Sequence, residues 1–320
     1  DIKKDGSWYE TTSDEAYVIV KLKDTYINKL YYKYKTENDF NWESEIEEEI
    51  IGHNATPLIN KVTRKIDRTT DSLELKINFN KKDVKFKDIS IDNQIYINWS
   101  RVVVVFATLM GLAIIIRYRK YFLEHLDKAF LFIALLSGII MINITPKTVY
   151  YSWDDQIHFR RANTFLSSET ATVPSTMTTV INKNTRQSGY FQTQEEQQAY
   201  YDTLNKMQKE DGWEEYDVNN YSAKYNNIVY LPFQIGFRIS EILNLNYTTS
   251  VVLAKLLNFI CYTLLMFFAI KVSTKLKRVV FVISLFASNI FLASQFSYDP
   301  TIIGSMILAT SLFFRMLEDK

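Results

Sequence analysis

Five apolar runs constrain this chain more than any other feature. They cover residues 102–116, 129–142, 251–270 (interrupted once, by Lys255), 279–292 and 301–314. A helix crossing a bilayer core needs about 20 apolar residues. Most of the runs are shorter, but Trp99, Tyr118, Tyr121, Phe296 and Tyr298 stand at their ends and extend them as interfacial aromatics. Buried core helices of a soluble protein are the plainer alternative. Five such runs with polar loops between them favour membrane spans, expected near 101–118, 129–146, 250–272, 279–296 and 300–316. Bulk composition conceals this, because 37 Lys+Arg against 36 Asp+Glu and a mean hydropathy of -0.11 average over two different solvents. The near-neutral charge leaves out a nucleic-acid partner. Cys261, the only cysteine, leaves out a disulfide-stapled scaffold.

Basic residues orient the spans. Arg117, Arg119, Lys120 and Lys128 separate the first two runs, and Lys271, Lys275, Lys277 and Arg278 separate the third and fourth. Both clusters face the cytoplasm only if the first span runs from outside to inside. The long segment 147–248 is then external, with a polar surface helix near 193–210. A short re-entrant or interfacial helix is expected to be entered at Pro232. Residues 1–98 are external too. An exported domain needs a leader or anchor, so the natural chain is expected to begin before Asp1. With no closing domain after the fifth span, it is expected to continue past Lys320.

Within residues 1–98, segments 16–24, 27–35, 72–80, 84–91 and 94–99 are β-branched and aromatic with partial alternation, the pattern of half-buried strands. An antiparallel β-sandwich is the expected fold. The acidic stretch 43–49 reads as a solvated face or loop, since it lacks the ligand spacing of a calcium loop. The fold class is therefore mixed: an external all-β sandwich at 1–98 and a polytopic α-helical membrane domain at 99–320.

The densest chemistry follows the second span, where Trp153, Asp154, Asp155, Gln156, Ile157, His158, Phe159, Arg160 and Arg161 are consecutive. If an aspartate caps a short helix, Asp154, His158 and Arg161 share a face. Carboxylate, imidazole and guanidinium at a membrane surface suit deprotonation of an acceptor hydroxyl and stabilisation of a phosphate leaving group. An interfacial helix with a cap and ordinary ion pairs is the plainer reading. Lys255 lies about one turn into the third span. It either snorkels to the interface or is a buried cation placed to hold a lipid-linked phosphate. Asp299, before Pro300, is a second carboxylate on the same side or simply a helix cap. Asn143, Asn258 and Asn289 read as packing groups between helices.

These motifs resemble a bacterial family of multi-spanning membrane proteins known only as domain of unknown function 2142, which is similar to the GT-C superfamily of glycosyltransferases. The matching pieces are residues 153–160, the run Tyr230-Leu231-Pro232-Phe233-Gln234-Ile235-Gly236, the Lys255-Leu256-Leu257-Asn258 entry into the third span, and Ser297-Tyr298-Asp299. In the family the first motif more often reads Asp-Glu, and the Lys255 position is more often Arg. The resemblance covers roughly residues 102–315. It implies a GT-C-like membrane domain in a bacterial cell membrane, moving a sugar from a polyprenyl-phosphate carrier to an extracytoplasmic or lipid-linked glycan acceptor. It implies Asp154 or Asp155 as catalytic base, or as ligands of a divalent cation such as Mg or Mn. His158 assists in catalysis, and Arg160, Arg161, Tyr230, Lys255 and Asp299 bind substrate. A non-enzymatic glycan-binding or polysaccharide-assembly protein is the competing reading, and a transporter is a third.

Overall fold

The computed structural model of the chain describes residues 2–14, 16–35, 40–46, 49–55, 61–78, 83–93, 97–147, 155–164, 170–182, 194–217 and 227–318. The chain forms two compact units, Asp1–Tyr96 with Asn184–Lys206 and Ile97–Lys183 with Met207–Lys320.

The first unit is built on β1 (Ile2–Asp5), β2 (Trp8–Thr11), β3 (Tyr17–Lys35), β4 (Phe40–Ile46), β5 (Glu49–Ala55), β6 (Lys61–Asn78) and β7 (Lys85–Asp92). They form one antiparallel sheet in the order β1-β2-β7-β3-β6-β4-β5, which corrects the expected sandwich. The reason lies in two long strands. β3 pairs with β6 from Tyr17 opposite Asn78 to Lys33 opposite Lys61, and the shorter strands extend this pair on its two edges. Burial along β3 falls on Ile27 and then on Leu30, Tyr32 and Tyr34, an odd position followed by even ones. At the same place the pairing slips by one: Ile27 to Lys29 of β3 runs against Arg68 to Lys65 of β6, so the extra residue is in β6 and the strand pair continues past it. From sequence, the same phase change reads as two strands. Of the acidic stretch, Glu43 and Glu45 lie in β4 and Glu49 in β5, which pair antiparallel, and residues 47 and 48 lie outside the described residues.

The second unit starts where the Asn98 side chain accepts the Arg101 N–H at 3.0 Å and opens α1 (Trp99–Arg117). It continues through α2 (Arg119–Glu124), α3 (Leu126–Ile144), α4 (Asp155–Asn163), α5 (Thr176–Asn182), the last residues, 207–211, of α6 (Gln194–Asp211), α7 (Leu231–Ile242), α8 (Tyr247–Val272), α9 (Lys277–Ser284), α10 (Ala287–Ala293) and α11 (Asp299–Glu318). The strands β8 (Thr170–Pro174) and β9 (Trp213–Asp217) form an antiparallel ribbon. Among the described residues four helices, α1, α3, α8 and α11, are long and apolar enough to cross a membrane. α7 has 12 residues, about 18 Å of rise, and Pro232 in its first turn. That length is too short to span.

The expected fourth span, 279–296, is not one helix. It breaks at Leu285–Phe286 into α9 and α10. A break inside a bilayer must satisfy the carbonyls it frees. Here the partners come from side chains. The Tyr262 hydroxyl donates to Ser284 O at 2.9 Å, and Asn289 Nδ2 donates to Ile283 O at 2.9 Å. Asn258 Nδ2 closes the end of α10 by donating to Ala293 O at 3.1 Å.

α8 is the central helix. Phe130, Ala134, Phe259, Tyr262, Met266 and Ile290 form a buried cluster around it. Gly138 of α3 lies against the Phe259 ring. A Cβ on Gly236 of α7 would stand 2.6 Å from the Ala254 Cα, so α7 touches α8 backbone to backbone. Lipid tails are as apolar as leucine, so close approach at small residues carries helix association there.

Residues 194–206 of α6 belong to the sheet unit. Lys29 Nζ donates to Glu195 Oε1 at 2.7 Å, and the buried Glu196 accepts the Thr63 N–H at 3.1 Å. Tyr200 and Leu204 are fully buried in the same unit. The polar helix expected on a loop surface is thus partly a structural member of the N-terminal domain.

Candidate functional site

The segment between α1 and α3, which carries the first basic cluster, and the segment between α8 and α9, which carries the second, meet at one end of the helical unit. Leu123, Glu124 and Leu126 wall one side of a cavity of about 360 Å³, and Thr274, Lys275, Lys277 and Arg278 wall the other. α3 starts at this end and its 19 residues rise about 28 Å to the opposite one. There Tyr247, at the start of α8, donates its hydroxyl to Lys147 O at 2.8 Å. Burial pushes the Lys147 ammonium below the usual lysine range. The charged and aromatic residues singled out by sequence motif gather at this second end.

The turn at 294–298, just before α11, brings them together. Its residues serve several partners because consecutive side chains in a tight turn diverge. Gln295 accepts from Lys255 Nζ at 2.9 Å and donates to Thr145 Oγ1 at 3.1 Å and to Ser294 Oγ at 3.2 Å. α8, the turn and the end of α3 are joined through that one amide. Phe296 packs edge-on against Phe159 of α4 with centroids 5.0 Å apart, and against Phe233 of α7 at 5.3 Å. Tyr298 meets the His158 ring edge-on at 5.4 Å and the Tyr230 ring at 5.7 Å. Ser297 Oγ donates to Asp299 Oδ2 at 2.9 Å and accepts the Asp299 N–H at 3.2 Å. Asp299 is therefore tied into the entry of α11.

His158 Nδ1 and the Tyr230 hydroxyl are hydrogen-bonded at 2.7 Å across 72 residues of sequence. The α4 pattern explains the placement. Phe159 and Ala162 are fully buried and hold the helix against α7 and the turn, while His158 is half-buried beside Tyr230. α4 is also tied to α7 through Gln234, whose Nε2 donates to Arg161 O and Thr164 O, both at 3.1 Å. Arg161 is 8% exposed.

Lys255 is 1% exposed, and its ammonium lies 5.3 Å from the Phe296 ring centroid. The snorkelling alternative fails on that burial. An ammonium held among aromatic and amide groups at membrane depth is costly, and such positions are functional by default. Phe296 places this cation one aromatic ring from α4.

Of the sequence-selected residues, the structure brings together His158, Tyr230 and Tyr298, places Lys255 on the same turn, and sets Arg160 and Arg161 along α4. Asp154 lies outside the described residues. Asp155 opens α4, and its side chain lies outside what is described. Among the described residues no three His, Cys, Asp or Glu side chains gather as a metal site. Sequence reasoning gave no site role to Gln295, Phe296, Gln234 or Thr145, although Phe296 stood out as an interfacial aromatic and Gln234 lies in the Tyr230–Gly236 run. A usable signal existed for the two glutamines, uncharged amides inside or at the edge of apolar runs, where an unpaired amide is expensive.

Residues 135–320, more than half of the chain, match the family described as Predicted membrane protein (DUF2142). No curated protein and no solved structure matches the chain.

Proposed function

This chain belongs to the DUF2142 family of predicted membrane proteins, and we propose that it is a GT-C-like glycosyltransferase working at the outer face of a bacterial cell membrane. The observation that carries the reading is the buried Lys255 ammonium on the turn that also packs against His158 and Tyr230, at the end opposite both basic clusters. Cytoplasmic basic loops then put this end outside. By the same rule the start of α1 is outside, which would leave the N-terminal sheet domain available to a cell-surface glycan.

In the proposed reaction an acceptor hydroxyl attacks the anomeric carbon of a sugar carried on polyprenyl phosphate. The new C–O bond forms as the bond to the phosphate oxygen breaks, with inversion. The hydroxyl proton passes to Asp154, Asp155 or His158. With Nδ1 protonated toward Tyr230, His158 Nε2 carries the basic lone pair. Charge developing on the departing phosphate is met by Lys255 and by Arg160 and Arg161. A divalent cation bound by Asp154 and Asp155 would supply additional charge stabilisation.

The test is transfer from a radiolabelled polyprenyl-phosphate sugar in proteoliposomes. D154N and D155N are each expected to remain folded, and at least one of them to lose transfer. Full activity in both variants would remove the assignment.

A further inference from the structure

The cavity at the basic end of the helical unit has no part in the proposed transfer, and the charges around it work against the helix that carries them. Thr274 and Lys275, in the segment between α8 and α9, line it together with Lys277 and Arg278, the first two residues of α9. The facing wall is Leu123 and Glu124, which end α2, and Leu126, which begins α3. A helix start carries the positive end of the backbone dipole and unmet N–H groups, which an acidic first turn or a side-chain cap normally settles. α9 has neither. No side chain caps it at Leu276, no acid stands in its first turn, and Lys277 and Arg278 add two positive charges. The start of α3 at His125 also lacks a side-chain cap, with Asp127 as its one first-turn acid.

The protein does not neutralise these cations itself. Among the described residues, Lys275, Lys277 and Arg278 have no ion-pair partner, and Glu124, the one carboxylate in the lining, pairs with none of them. Glu318, at the end of α11, accepts from the Thr274 hydroxyl instead. Lys275, Arg278 and Glu124 are exposed, so their charged ends are accessible. Breaking a local rule of helix electrostatics without an internal compensation is the mark of a functional site.

An anion with several acceptor oxygens supplies the missing compensation. Two observations say what that anion is attached to. The cavity lies where α3 begins and α8 ends, and both helices are long and apolar enough to cross a membrane, which puts it at the bilayer surface. Apolar side chains also lead away from it. Leu123 is 73% exposed, and Val279 and Val282 on α9 are exposed as well. Val282 stands four residues after Arg278 and shares its face of the helix. A free phosphate would meet the cations and leave this apolar path bare, whereas a phospholipid covers both. The cavity of about 360 Å³ has the space of about twelve bulk waters, enough for a phosphodiester headgroup with its acyl chains outside.

We propose that this cavity is a binding site for the headgroup of an anionic phospholipid. The phosphate is held by Lys275, Lys277, Arg278 and the start of α9, and the chains lie along Leu123 and the exposed face of α9. The lipid then bridges the α2–α3 and α8–α9 segments. The site does not depend on sugar transfer.

The test is native mass spectrometry of the full chain, delipidated in detergent and titrated with dioleoyl phosphatidylglycerol, dioleoyl phosphatidylcholine and the chain-free headgroup glycerophosphoglycerol. One phosphatidylglycerol is expected to bind saturably, at least tenfold tighter than either other probe. K275Q, K277Q and R278Q should each weaken it about fivefold, the worth of one cation at an anionic lipid surface. K120Q removes an exposed charge of the same basic end that does not line the cavity, and should change affinity less than twofold. Without lipid the three cavity variants should melt no lower than wild type, since no ion pair is lost; K275Q and R278Q, at exposed positions, decide the matter if K277Q does not fold. Equal weakening by K120Q would reduce the effect to diffuse surface attraction and overturn the site. Phosphatidylcholine binding as tightly as phosphatidylglycerol overturns it too. Glycerophosphoglycerol binding that tightly would make it a site for soluble phosphodiesters, and the lipid assignment fails.

Discussion

Replacing Lys255 by methionine separates a functional cation from a structural one. The two side chains have similar length, so the buried volume is nearly kept while the charge is removed. Two effects on stability oppose each other. Gln295 Oε1 loses the donor it has at 2.9 Å, which costs about 1–3 kcal/mol for a buried acceptor. Removing a desolvated ammonium returns energy of similar size, since apolar groups of the same shape often replace buried charges at little cost. Gln295 also keeps its bonds to Thr145 and Ser294. The expected net change is within about 2 kcal/mol, a modest shift in melting temperature. Binding should respond far more. An ion pair at about 4 Å with an effective dielectric near 20 is worth roughly 4 kcal/mol, close to a thousandfold in affinity. The assay is titration of undecaprenyl phosphate into nanodisc-embedded wild type and K255M, with thermal melts of both in parallel. A thousandfold figure is the ceiling, because other cations near α4 share the phosphate. K255M that binds the lipid phosphate as wild type does would refute the reasoning. So would a variant that melts many degrees lower, since Lys255 would then be holding α8 to the 294–298 turn.

Three further outcomes follow from other parts of the molecule. Tyr230→Phe removes the hydroxyl bonded to His158 Nδ1; the expected cost is about 0.5–1.5 kcal/mol, with a changed tautomer balance visible in the imidazole ¹⁵N shifts, and unchanged shifts would contradict the contact. Glu196→Ala leaves the Thr63 N–H without its acceptor, so exchange at Thr63 should accelerate and the sheet domain should lose about 1–3 kcal/mol. Lys85, hydrogen-bonded to Asp5 at 2.5 Å, holds the Asp5 carboxyl below the usual carboxylate range. A depressed acid contributes stability that is present above its unfolded value and fades as pH falls through the folded one. Carboxyl ¹³C titration of wild type and K85M should show Asp5 returning to the ordinary range in the variant. The same low value in both would discard the pair.

How far the fold can be read from the chain depends on the range of the interactions that decide it. Long apolar segments decide themselves, because a bilayer rewards any helix that hides its backbone. The break at Leu285–Phe286 is different. Its carbonyls are satisfied by Tyr262 and by Asn289, and the run of residues 279–292 carries no local mark that a tyrosine about four turns into another helix will be waiting. The asparagines were recognisable as interior polar groups, but not as the partners of that break. In the sheet, alternation was visible, and its change of phase at Ile27 could not be told from a strand end without the partner strand that continues past it.

The site divides along the same line. His158, Tyr230, Lys255 and Asp299 stood out because polar or charged groups beside apolar runs are expensive wherever they go, and that much the amino-acid sequence determined alone. It also determined four of the five expected spans and which loops carry the positive charge. Only the tertiary structure decided that His158 meets Tyr230 and Tyr298, that Lys255 ends on Gln295, and that Glu195 and Glu196 fasten a helix of the inter-span segment to the N-terminal sheet. These contacts join residues 40 to 166 positions apart. No helical or strand period encodes such a meeting, since it is set by how close Gly138 and Gly236 let neighbouring helices approach α8, and by where a short turn then points its side chains.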